Sequence, residues 1–132
     1  MMKKRMGKMV RARAELPPGR LFGPATARIG LVGYGSTSGP ILEAQTLLAA
    51  RGIGTRYYQA RTIYPVPVHE LEPFFQGVDT AFVVEHNYTG QYARLLRESL
   101  PAHHAKLRSV LRYDGDSFRA PDIVAAVEGA PT

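Results

Sequence analysis

The chain has no cysteine among its 132 residues. That removes disulfides, thiolate nucleophiles and cysteine-ligated iron–sulfur clusters from its own chemistry. No apolar run approaches the roughly 20 residues that a membrane span requires, and residues 1–8 are basic without the apolar stretch of a signal peptide after them. The expected setting is therefore cytoplasmic, without a membrane partner. Four histidines are present, but His69, His86 and the adjacent His103 and His104 lack the spacing of a zinc helix, so no metal site is expected. Internal repeats and low-complexity tracts are absent as well.

The net charge of +6 is concentrated in one stretch. Residues 1–20 hold Lys3, Lys4, Arg5, Lys8, Arg11, Arg13 and Arg20 against Glu15 alone, and the rest of the chain is balanced. A basic face with interleaved aromatics is missing from that balanced part, so nucleic-acid binding is not expected. Residues 1–24 read as a basic linker or tail, closed by Pro17-Pro18-Gly19, and residues 25–132 as one domain.

Within that domain strands and helices alternate. Arg28 to Gly33 and Thr55 to Gln59 read as strands, and the helix between them starts at Pro40. Its inward face is Ile41, Ala44, Leu47 and Leu48, and Gly52 is placed to end it in the left-handed conformation. Thr62 to Pro67 is an extended proline segment, and Val68 to Phe75 a short helix with Leu71, Phe74 and Phe75 buried. Thr80 to Glu85 and Leu107 to Tyr113 are further strands, separated by a helix over Gly90 to Leu100 and a polar link holding His103 and His104. A last helix opens at Pro121. The alternation implies an α/β domain with a mostly parallel sheet and helices on both faces.

Two loops follow strands and precede helices, where α/β proteins hold ligands and neighbours. Gly35-Ser36-Thr37-Ser38-Gly39 offers backbone amides and a helix dipole to an anion, but lacks both the P-loop lysine and the dinucleotide glycine spacing. A tight turn with hydroxyl helix caps is the favoured reading, and a phosphate or nucleotide site the alternative. Glu85-His86-Asn87-Tyr88-Thr89-Gly90-Gln91 gathers a carboxylate, an imidazole, amides and a phenol. Asn87 or Thr89 is expected to cap the next helix, Glu85 to accept from nearby backbone, and Tyr88 and Gln91 to meet another subunit. No nucleophile and base can both be named, so an interface is favoured over catalysis and no residue is assigned a catalytic role.

Four segments in order carry a family likeness: Arg5-Met6-Gly7-Lys8, Gly33-Tyr34-Gly35-Ser36-Thr37 with Gly39-Pro40-Ile41, Tyr64-Pro65-Val66-Pro67, and Val83 through Gln91. On these the chain resembles the carboxyl-terminal domain of the alpha subunit of 2-oxoacid:ferredoxin oxidoreductases. Two positions depart from the family's usual pattern: Tyr34, where tryptophan is common, and His86, where asparagine is. The resemblance implies a transketolase carboxyl-terminal-like fold, a three-layer α/β/α sandwich on a five-stranded sheet with one antiparallel edge strand. It also implies that thiamine diphosphate, magnesium, iron–sulfur clusters and coenzyme A belong to other parts of the parent complex. The implied partners are the rest of the alpha subunit, the thiamine-binding beta subunit, ferredoxin with the whole complex, and a possible homodimer. Asp114-Gly115-Asp116 only superficially matches the motif that holds magnesium diphosphate. The first residues look like a linker from a longer subunit, and the isolated chain is expected to be inactive.

Overall fold

The computed structural model describes residues 16–86, 90–112 and 118–129. Five strands form one sheet: β1 (Arg20–Phe22), β2 (Ile29–Tyr34), β3 (Thr55–Ala60), β4 (Thr80–Glu85) and β5 (Leu107–Leu111). Their order across the sheet is β1-β3-β2-β4-β5, and only β1 runs antiparallel, pairing Leu21 with Tyr58. The antiparallel edge strand implied by the resemblance thus comes from residues 20–22, inside the stretch that its charge marks as a tail. Among the described residues four α-helices cover the sheet: α1 (Ser38–Ala49), α2 (Val68–Gln76), α3 (Gln91–Ser99) and α4 (Ala120–Glu128).

Which face each helix covers follows from handedness. A crossover between parallel strands is right-handed, so the connection from β2 to β3 and those from β3 to β4 and β4 to β5, which step the other way, must use opposite faces. The packing agrees. Ile41, Ala44 and Leu48 of α1 meet Leu31, Tyr57, Phe82 and Val84 in one core, together with Ile123 and Val127 of α4. Leu71 and Phe74 of α2 and Tyr92 and Leu96 of α3 meet Val32, Tyr58, Ala81 and Val83 in the other. Strand alternation divides β4 between them, Ala81 and Val83 to one side and Phe82 and Val84 to the other, which is why these four central residues are all apolar.

Several elements differ in detail from the sequence pattern. Leu47 is 37% exposed, because α1 drops it outside the arc of Ile41, Ala44 and Leu48 that faces the sheet. The strand expected to reach Tyr113 is assigned through Leu111, and residue 113 lies outside the described residues. The expected polar link is a 3-10 helix, Pro101–Lys106, with His103 buried in it. Its imidazole stacks on Phe75 and pairs through Nε2 with Glu72 Oε1 at 2.8 Å, so a polar residue type is drawn into the core edge by one partner. Gly52, at a φ of 80°, ends α1 as its position suggests.

Candidate functional site at the sheet's carboxyl edge

The chain leaves β2 toward β3 and leaves β4 toward β5, in opposite directions, although β2 and β4 are neighbours. That divergence opens a crevice beyond their carboxyl ends, the place where open α/β sheets take ligands and partners. Both loops expected to carry function flank it.

β2 pairs with β4 from Ile29 opposite Thr80 to Val32 opposite Val83, and Tyr34 and Glu85 end the two strands just beyond the last pair. Each lies two residues beyond a valine of the α2–α3 core, so period-two alternation sends both side chains to the α3 side. Glu85 is fully buried there. Its Oε1 accepts the Tyr92 amide at 2.7 Å and its Oε2 the Ala93 amide at 3.1 Å. These are first-turn amides of α3, which have no intrahelical acceptor. A carboxylate at the end of β4 therefore caps the next helix and neutralises its positive end. The sequence expectation that Glu85 accepts from nearby backbone holds in this form.

Between Glu85 and that helix, Gly90 serves as the N-cap residue with a φ of 61°. A side chain there would be strained, and its Cβ would stand 3.3 Å from Ser109 Oγ. The expected caps Asn87 and Thr89, together with Tyr88, lie outside the described residues. His86 is exposed and makes a T-shaped ring contact with Phe118, and Gln91 is exposed on the first turn of α3.

In the other loop Gly35–Thr37 forms a 3-10 turn that runs directly into α1, with Gly35 at a φ of 60°. The hydroxyl caps expected for α1 are not what the serines and threonine do. Thr37 Oγ1 donates to Tyr34 O at 2.8 Å and accepts Tyr34 N–H at 3.2 Å, locking the end of β2. Ser38 Oγ accepts from Gln59 Nε2 at 2.8 Å, which holds α1 to the end of β3. Ser36 is exposed. The first turn of α1 has neither a side-chain cap nor an acidic residue.

The two loops meet through a residue that the sequence reading left out of the site. The Tyr34 hydroxyl stands 3.5 Å from Glu85 Oε1, and the Tyr34 ring meets Tyr92 edge to face, with centroids 5.3 Å apart. Burial, then Tyr58, Glu85 and Tyr34 nearby, hold the Tyr92 phenol far above its ordinary range, so it stays neutral. Two residues past a buried valine on each of two adjacent strands was the signal available for this pairing.

The chemistry that these groups offer is limited. Among the described residues no group of three histidines, aspartates or glutamates is placed to hold a metal ion. Glu85, the carboxylate nearest the crevice, has both oxygens on amides. Among the described residues, this donor set fits neither a diphosphate-bound magnesium nor an iron–sulfur cluster. A separate cleft of about 730 Å³, walled by Pro17, Pro18, Pro65, Val66 and Pro67, contains none of the expected site residues.

Residues 27–123 match the family described as pyruvate:ferredoxin oxidoreductase core domain II. The alpha subunit of 2-oxoacid:ferredoxin oxidoreductase 2 from Aeropyrum pernix is 34% identical over 111 residues, which cover 82% of this chain and 16% of that one. The structure of 2-oxoglutarate:ferredoxin oxidoreductase from Magnetococcus marinus, with 2-oxoglutarate, coenzyme A and succinyl-CoA bound, superposes with a TM-score of 0.83 at 25% identity, over 97% of this chain and 22% of that one. A split-gene transketolase in an inactive tetramer shares the fold, with a TM-score of 0.71 at 22% identity over 86% of this chain and 41% of that one. The chain thus spans about a sixth of the length of the Aeropyrum relative. It belongs to the pyruvate:ferredoxin oxidoreductase core domain II family, as a transketolase-like α/β domain of 2-oxoacid:ferredoxin oxidoreductase alpha subunits.

Proposed function

We propose that this domain is a structural and assembly unit of a thiamine-diphosphate-dependent 2-oxoacid:ferredoxin oxidoreductase, the whole complex converting a 2-oxoacid to an acyl-CoA. The observation that carries this reading is Glu85: a buried carboxylate at the switch point, with both oxygens held by amides, anchors the start of α3 rather than reacting with a substrate. Residues 35–38 and 85–91 then face the rest of the alpha subunit or the thiamine-binding beta subunit. Thiamine diphosphate, magnesium, the iron–sulfur clusters and coenzyme A are held by those other parts, and ferredoxin meets the assembled complex.

The test is the purified chain supplied with a 2-oxoacid, thiamine diphosphate, magnesium, coenzyme A and ferredoxin. No ferredoxin reduction is expected, and reduction above the protein-free control would contradict the assignment.

A second reading, a phosphate or nucleotide site at Gly35 to Gly39, is favoured by one observation, the first turn of α1 without cap or acid. Titration with inorganic phosphate and nucleotides, followed at the Gly35 to Gly39 amides, separates the two. Saturable shifts there support the second reading.

A further inference from the structure

We propose that the two strand-end loops are coupled through Tyr34 and Glu85, so that a change at residues 35–38 is felt in the first turn of α3, and the reverse. The coupling is a property of the domain itself and holds whichever partner docks on the loops. Its parts are contiguous. Thr37 Oγ1 grips the Tyr34 backbone through both N–H and C=O, at 3.2 and 2.8 Å. The Tyr34 hydroxyl then reaches Glu85 Oε1 at 3.5 Å, and that same oxygen accepts the Tyr92 amide at 2.7 Å. The Tyr34 ring also braces Tyr92 directly, edge to face at 5.3 Å.

Two physical features make this more than adjacency. Glu85 is fully buried, so solvent does not screen a change in the donors around its carboxylate. The first-turn amides of α3 depend on this side chain for their acceptors, so a displaced carboxylate weakens the start of the helix rather than a redundant bond. Tyr34 is on this account a positioning residue: it acts on α3 through Glu85. Coupling between sites is reciprocal in free energy, so a partner that tightens residues 35–38 tightens the first turn of α3, and the reverse.

Amide hydrogen exchange on the full chain tests this. Tyr34→Phe keeps the ring and removes the hydroxyl, and Thr37→Val loosens Tyr34 without touching Glu85 or α3. Both are expected to speed exchange at the Tyr92 and Ala93 amides by roughly three- to ten-fold, while Val124 and Val127, on the opposite face, exchange as before. In Glu85→Gln the same amides exchange faster, and adding Tyr34→Phe brings less than its effect in the parent chain. Unchanged Tyr92 and Ala93 amides in both single variants would overturn the proposal. So would an equal acceleration on both faces of the sheet, or additive effects in the double variant, because each marks general destabilisation or independent loops.

Discussion

The Tyr92 amide donates to Glu85 Oε1 at 2.7 Å, so the last residue of β4 caps a helix that starts six residues later. Strand end and helix start are joined by a carboxylate with no exposed surface. The first turn of α3 is therefore anchored to the end of β4.

Glu85→Ala leaves the Tyr92 and Ala93 amides without these acceptors and opens space beneath the loop. Denaturant unfolding should show a loss of about 2–4 kcal/mol. Glu85→Gln keeps one acceptor oxygen and should lose less. Equal losses from the two variants would show that the amide bonds are not what Glu85 contributes.

Gly90→Ala places a Cβ on a residue at a φ of 61° and within 3.3 Å of Ser109 Oγ. The left-handed torsion costs about 1–2 kcal/mol, and the close approach adds to it. Pairing it with Ser109→Ala removes the approach but not the torsion, so less than half of the stability should return.

Gly33→Ala tests the packing of β2 on α1. Its Cβ would fall 2.4 Å from Ile41 Cδ1 and 2.7 Å from Thr37 Oγ1. Overpacking of this kind costs about 1–3 kcal/mol. Ile41→Val, which removes the clashing methyl, should restore part of the loss when combined with Gly33→Ala, although alone it destabilises.

The hydrogen bond from His103 holds the Glu72 carboxyl below its ordinary value of 4.5. A carboxyl lowered in the folded state adds stability above its unfolded value and loses it as pH falls through the folded one. Glu72→Gln should accordingly flatten the decline in unfolding midpoint below about pH 4.5. Parallel curves for the two proteins would contradict this.

The alternation of strands and helices was legible because β2, β4 and the helix faces follow simple periods, and Gly52, Pro40, Pro101 and Pro121 punctuate them. β1 was not, since three residues after Pro17-Pro18-Gly19, led by Arg20, carry no period of their own and owe their extended form to pairing with β3. The role of Glu85 as an acceptor was readable from its place between a strand and a helix. Its link with Tyr34 was not, because the two are 51 residues apart and meet only through the register of β2 on β4. The part played by Thr37 was not legible for a related reason: a hydroxyl before a helix usually caps it, whereas here a 3-10 turn lies between the strand and α1 and draws the hydroxyl back to Tyr34.

On the proposed function, residues 35–38 and 85–91 are the docking face of a scaffold domain, which a partner should cover. Amide hydrogen exchange of the chain, alone and mixed with the thiamine-binding subunit and the rest of the alpha subunit, measures this most directly. Added protection concentrated in those two loops is expected. Protection elsewhere, with both loops exchanging as in the isolated chain, would contradict it.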